Sequence, residues 1–172
     1  SIRGAGLAGS VIQAMLGDQL KNMARSVEAQ AFANDTDLYD QVGFYQAELA
    51  AGRRVIVVSH SQGNFYANAA HARLSSSSVV TMDRFAIVSV ATPASNVATA
   101  PIPECDGKCY TSLTTDLIVQ GARQVFPDTL APNVTDLTVV DDDIKSHAFR
   151  DAYLASSPAR TQIFKQIRGY LG

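Results

Sequence analysis

The hydrophobic pattern of the chain changes period near residue 53. Before it, Val11, Met15, Leu20 and Met23 recur at roughly helical spacing, as on the inner face of an amphipathic helix. Asn34-Asp35-Thr36-Asp37 then interrupts the pattern with residues that cap helices. A helix is predicted from Asp37 to Ala51, with Leu38, Val42, Tyr45 and Leu49 along one stripe and Gly52 as its C-terminal cap. Residues 1–52 therefore read as a helical N-terminal part.

Beyond that point the pattern is that of strands alternating with helices. Val55-Ile56-Val57-Val58 is a continuous β-branched run, as in a strand buried on both faces of a parallel sheet. Gln62 to Leu74 reads as helix and Ser75 to Ser78 as loop. Arg84 to Val90 is the second predicted strand. Ala91 to Glu104 holds Pro93, Pro101 and Pro103 and reads as a long loop. Cys109 to Thr115 is the third strand, and Leu117 to Phe126 a helix stopped by Pro127. Val134 to Val140 is the fourth strand, and Ser146 to Leu154 and Ser157 to Leu171 close the chain as helices. This order predicts an α/β fold, a mostly parallel sheet flanked by helices. No repeat or linker divides the 172 residues, so one domain is expected, with the sheet core over 53–172.

Composition narrows the classes of function. With 47% hydrophobic and 17% charged residues the chain is globular, not disordered. A net charge of -2 lacks the basic footprint of a nucleic-acid binder, so no nucleic-acid partner is expected. No apolar run approaches the ~20 residues of a membrane helix. The chain opens on Ser1 without a basic segment leading into an apolar one, so no signal peptide is read there. That opening fits a processed form or part of a longer protein. Cys105 and Cys109 flank Asp106-Gly107-Lys108, a spacing that suits a small clamped loop. A disulfide there implies an oxidising compartment, secreted or periplasmic; the alternative is two reduced thiols in a surface loop. Two cysteines with no histidine nearby make no zinc site, and neither metal nor cofactor is expected.

The chemistry gathers at the carboxyl ends of the predicted strands. Ser59-His60-Ser61-Gln62-Gly63 lies between the first strand and the helix after it. A nucleophile elbow needs this setting, with small residues two before and two after the serine so that the backbone can turn sharply. Ser59 and Gly63 occupy those places. The Gln62 N–H and the helix N-terminus then point toward a developing oxyanion. The competing reading is an ordinary strand-to-helix turn with Ser61 as cap. Of the three histidines, His60 adjoins Ser61 in the elbow and points away from it, which suits packing. His71 is about ten residues into the helix, roughly 15 Å along its axis. His147, past the last strand, remains as general base. Asp116, at the end of the third strand, is placed to orient it. Asp128 falls at the opposite end of the sheet. Asp141-Asp142-Asp143 reads as a solvated charged loop; the alternative reading is that it tunes His147 or binds a cation weakly. The order Ser61, Asp116, His147 puts each group where open α/β sheets build their sites.

On these residues the sequence resembles the α/β-hydrolase superfamily, lipases in particular. Val55 to Gly63 is similar to the lipase elbow strand, Gly-His-Ser-x-Gly, with Ser59 in place of glycine. Thr114 to Val119 resembles the acid loop, Ser146 to Phe149 the histidine loop, and Phe85 to Pro93 the strand after the elbow. The likeness spans about residues 37–154. It implies Ser61 as nucleophile, His147 as general base and acid, and Asp116 as orienting carboxylate. Such hydrolases have several strands before the elbow, and a loop after an early one gives a second oxyanion donor. The helical pattern of residues 1–52 implies a reduced fold or upstream strands outside this chain, with Gly4, Gly6 and Gly9 as a candidate remnant of that loop.

The expected activity is hydrolysis of a carboxylic ester, small or lipid, through an acyl-serine intermediate. Val97, Ala98, Ala100 and Ile102 are candidates for an acyl pocket, against plain packing. A thioesterase or acyltransferase would use the same three residues. The alternative from another class is a non-catalytic module that binds a partner or ligand. Asn34 and Asn133 match the glycosylation pattern, a short and common one.

Overall fold

The computed structural model describes residues 36–78, 80–106, 108–138 and 146–172. The helix expected around Val11 to Met23, the glycines at 4, 6 and 9, Asn34 and the acidic run 141–143 lie outside the described residues. The first described element is helix α1, Thr36–Ala50. It ends as its sequence predicts: Gly52 takes φ 77°, its N–H bonds Leu49 O, and the N–H of Arg53 reaches back to Glu48 O. That is a Schellman cap, which needs a left-handed residue where only glycine sits without strain.

Strand β1, Val55–His60, follows and leads into helix α2, Gly63–Ser75. A 3₁₀ turn at Met82–Arg84 precedes strand β2, Phe85–Val90. Strand β3 is Tyr110–Thr111, helix α3 Leu117–Val125 and helix α4 Ser157–Leu171. The three strands form a parallel sheet in the order β1-β2-β3. The class is α/β.

β2 organises the core because all six of its residues are buried. Its side chains alternate between the faces of the sheet, as the pleat requires. Phe85 and Ile87 join Leu38, Val42 and Leu49 of α1 and Ala67, Ala70 and Leu74 of α2. Ala86, Val88 and Val90 join Val119 of α3 and Ala159, Ile163 and Tyr170 of α4. The sheet therefore lies between two layers of helix. A buried aliphatic side chain in such a core contributes about 1.5–3 kcal/mol.

Four elements depart from their sequence expectation. β1 is not buried on both faces, since Val58 is 42% exposed. The strand closes one side of the described sheet, and α4 packs on β2 and β3 instead. The third strand, expected over Cys109–Thr115, shrinks to two residues. Side-chain amides take over part of its ladder: Asn133 accepts from Ser112 N–H and donates to Tyr110 O, and Gln162 donates to the same carbonyl, while Ser112 O still accepts from the N–H groups of Asn133 and Val134. The fourth strand, expected over Val134–Val140, is a single parallel bridge from Val134 to Leu113. The N–H and hydroxyl of Thr138 both bond Asp136 Oδ1, a local turn that competes with strand pairing. Residues 139 and 140 lie outside the described ones. The helix expected from Ser146 is a π-helical turn, Phe149–Leu154, preceded by Ser146 at φ 49°.

The loop after β2 does not gather its apolar residues at one place. Val97 and Ala98 pack into the α1–α2 core, while Ile102 packs against the α3–α4 core. Midway, the Thr99 hydroxyl accepts from the N–H of Ile87 at 3.2 Å, covering the part of β2 that β3 leaves unpaired. Ala100 and Ile102 end beside Arg54, Ile56 and Phe85, at the amino end of the sheet. Ser61 stands at the other end, so these two residues do not line a pocket around it.

Candidate active site

Ser61 follows the last residue of β1 and takes φ 54°. A left-handed conformation costs a residue with a Cβ roughly 1–2 kcal/mol, so the surroundings must impose it. Ser61 N–H donates to Val90 O at 3.1 Å, and Ser61 O accepts from Asn64 N–H at 3.1 Å. The Asn64 side chain does the rest. Its amide donates to Ser61 O and to Val90 O, and its oxygen accepts from the hydroxyls of Ser59 and Ser89. Asn64 is 1% exposed, and this network ties the turn to both neighbouring strands.

The two small residues of the elbow therefore have different parts. Ser59 is buried and uses its hydroxyl, 2.7 Å from Asn64 Oδ1, which glycine lacks. At Gly63, by contrast, a Cβ would meet no heavy atom within 4 Å among the described residues beyond its chain neighbours and the adjacent backbone of its own helix. Its φ is not positive either, so the sharp turn is made at Ser61. Gln62 is the N-cap of α2 and makes no side-chain cap bond. The early bonds of the helix are made by Asn64 and Phe65 N–H, so the Gln62 N–H lies ahead of the ladder, at the positive end of the helix dipole.

Asp116 is the N-cap of α3 and is fully buried. Its Oδ1 accepts from the N–H groups of Ile118 and Val119, both at 3.0 Å. Its Oδ2 accepts from the Tyr153 hydroxyl at 2.7 Å. His147 Nδ1 lies 3.0 Å from Oδ1 and 2.9 Å from Oδ2. With Nδ1–H directed to the carboxylate, Nε2 is the acceptor, and it lies 2.9 Å from Ser61 Oγ. The structure thus brings Ser61, His147 and Asp116 into one hydrogen-bonded chain, from three separate segments.

The remaining titratable candidates fall elsewhere. Asp128 is exposed beyond the end of α3. His71 packs by the Phe85 ring on α2 and bonds Ser75. His60 does not reach Ser61; its Nε2 lies 2.7 Å from the carbonyl oxygen of His147, and its ring packs against His147, Phe149 and Tyr153. It braces the histidine loop. Asn133, the asparagine of the second glycosylation pattern, has its side-chain amide bonded to Tyr110 and Ser112. Among the described residues no group of three or more His, Cys, Asp or Glu is arranged to hold a metal ion. The sulfurs of Cys105 and Cys109 lie at disulfide distance, 2.30 Å, and close a loop at the start of β3.

Sequence reasoning missed Asn64 and Tyr153. Asn64 is a polar residue on the first turn of a helix, where a buried role leaves little trace. Tyr153 sits among apolar neighbours and reads as core.

Comparison of the chain with protein-family models, with curated proteins and with solved structures finds no match. The arrangement can take a proton from the Ser61 hydroxyl at Nε2, hold the resulting imidazolium against a buried carboxylate, and offer a helix N-terminus to an anion beside Oγ.

Proposed function

We propose that the protein is a serine hydrolase of carboxylic esters that works through an acyl-serine intermediate. The observation that carries this reading is the continuous chain from Ser61 Oγ through His147 to Asp116, starting from a serine held at positive φ. Ser61 Oγ attacks the ester carbonyl carbon as His147 Nε2 takes its proton. The carbonyl oxygen becomes the oxyanion and is received by the Gln62 N–H. Collapse expels the alcohol, which takes the proton back from Nε2. Water repeats the sequence on the acyl-serine and releases the acid. Throughout, Asp116 keeps Nδ1–H in place and stabilises the imidazolium.

The resemblance to lipases and the wider α/β-hydrolase superfamily agrees with this reading, as does the α/β class of the fold. An upstream segment giving a second oxyanion donor belongs to the same proposal, and its candidates, Gly4, Gly6 and Gly9, are outside the described residues. A disulfide at Cys105–Cys109 suits a protein of an oxidising compartment. No described helix is long and apolar enough to cross a membrane.

A fluorophosphonate probe tests the proposal without a known substrate. One adduct per chain, mapped to Ser61 and absent from Ser61→Ala, is the expected result. A folded sample that forms no adduct overturns it in favour of a non-catalytic binding module. Oxygen esters and thioesters offered to a reactive protein separate esterase from thioesterase.

A further inference from the structure

The Asp116 carboxylate is gripped from two sides, and only one grip belongs to its own helix. Oδ1 is held by the first N–H groups of α3. Oδ2 is held by the hydroxyl of Tyr153, which in turn accepts from the N–H of Leu113 at 3.1 Å. A phenol has one proton to give and oxygen lone pairs to accept with, so both of these bonds form at once. Tyr153 is fully buried. It lies on the same segment as His147, and both residues reach the same carboxylate oxygen. The π-turn contributes to this placement: Ala148 O accepts from the N–H groups of both Ala152 and Tyr153. This wide turn carries one residue more per bond than an α-helix.

We propose that Tyr153 is a positioning residue for the Asp116–His147 pair, locking the carboxylate by its hydroxyl so that Nδ1–H is held and Nε2 stays on Ser61. The inference rests on the serine-hydrolase reading. Without the hydroxyl, Oδ2 keeps only His147, and the carboxylate is held against rotation about its Cβ–Cγ bond from the Oδ1 side alone. The imidazole then loses the fixed acceptor that sets its tautomer and aim.

The test is a double-mutant cycle on fluorophosphonate labelling of the full chain, with folding checked by circular dichroism. Tyr153→Phe in the wild-type background is expected to slow labelling of Ser61 roughly 10- to 100-fold, the loss of one hydrogen bond to a charged group. In an Asp116→Asn background the same substitution is expected to change the rate little, because the group it acts through is already gone. The low-field proton resonance of His147 Nδ1 is expected to shift or broaden in Tyr153→Phe. Equal slowing in both backgrounds, or an unchanged rate and resonance in the first, overturns the inference and leaves Tyr153 as packing. If Tyr153→Phe does not fold, 3-fluorotyrosine at 153 carries the test. It keeps ring and hydroxyl and alters donor strength, and its effect must again depend on Asp116. Failure of the hydrolase reading looks different: Asp116→Asn would then label as fast as wild type, or Ser61 would not label at all.

Discussion

The side-chain amide of Asn64 donates to the carbonyl oxygen of Ser61 at 2.8 Å and so holds that serine in its turn. The same side chain binds Val90 O and the hydroxyls of Ser59 and Ser89, all in a buried setting. Asn64→Ala takes the shared acceptor from the buried Ser59 and Ser89 hydroxyls, while Ser61 O and Val90 O keep only the backbone N–H groups of residue 64 and Ser61. It is expected to cost about 2–3 kcal/mol of stability, since buried unsatisfied groups are expensive. Urea denaturation checks the loss. Labelling of Ser61 in the variant is expected to slow as well, because the turn can then relax. A variant as stable and as reactive as wild type would show that the network is incidental.

The positive φ of Ser61 makes a prediction that needs no assumption about activity. Ser61→Ala keeps a Cβ in the left-handed region, whereas Ser61→Gly removes it. The glycine variant is expected to be the more stable of the two by about 1 kcal/mol. Differential scanning calorimetry of both variants measures the gap. At most helix starts the order would be reversed or flat, because glycine loses more entropy on folding.

The Ser61, His147 and Asp116 substitutions should separate in size. Removing the nucleophile or the base is expected to lower turnover of an activated ester by up to ~10⁶-fold, and Asp116→Asn by about 10⁴-fold. Steady-state kinetics on a nitrophenyl ester gives the ratios. Equal, small losses in all three would remove the acyl-serine mechanism.

Parts of this arrangement were legible in the sequence for a physical reason. A buried strand must be apolar, and side chains able to donate, accept or relay a proton belong to a few residue types that a sequence displays directly. Val55–Val58, Phe85–Val90, Ser61, Asp116 and His147 therefore stood out. The Thr36–Ala50 helix was legible too, through its Leu38, Val42 and Leu49 stripe and Gly52 cap. The short β3 and the lost strand after Val134 were not. There the backbone is satisfied in part by Asn133, Gln162 and Asp136, whose side-chain bonds leave no periodicity. Tyr153 was invisible because its partner, Asp116, is 37 residues away. A hydroxyl on an apolar stripe does not announce where it donates.

Reduction of Cys105–Cys109 should act on stability and spare the site. The bridge spans a sequence separation of only 4, and a loop that short gives roughly 2 kcal/mol in the chain-entropy account. It clamps the approach to β3 and touches none of Ser61, His147 or Asp116. Reductant, or Cys105→Ser with Cys109→Ser, is expected to lower the urea midpoint while folded protein still labels at Ser61. Loss of labelling at full helix content would instead tie the loop to the site.

Acid should expose His71. Burial beside the Phe85 ring pushes its pKa below the ordinary 6.5, because the charged imidazolium is poorly solvated there. The unfolded chain therefore binds this proton more readily than the folded one. The sign follows from linkage: the contribution of the neutral ring is fully present above pH 6.5, and it is lost as pH falls from there through the lower folded value. His71→Gln, which cannot take up the proton, is expected to flatten the fall in melting temperature over that window and to leave the curve above it parallel to wild type. Thermal melts across the window in both proteins measure the difference. Two parallel curves throughout would mean that another group governs acid stability.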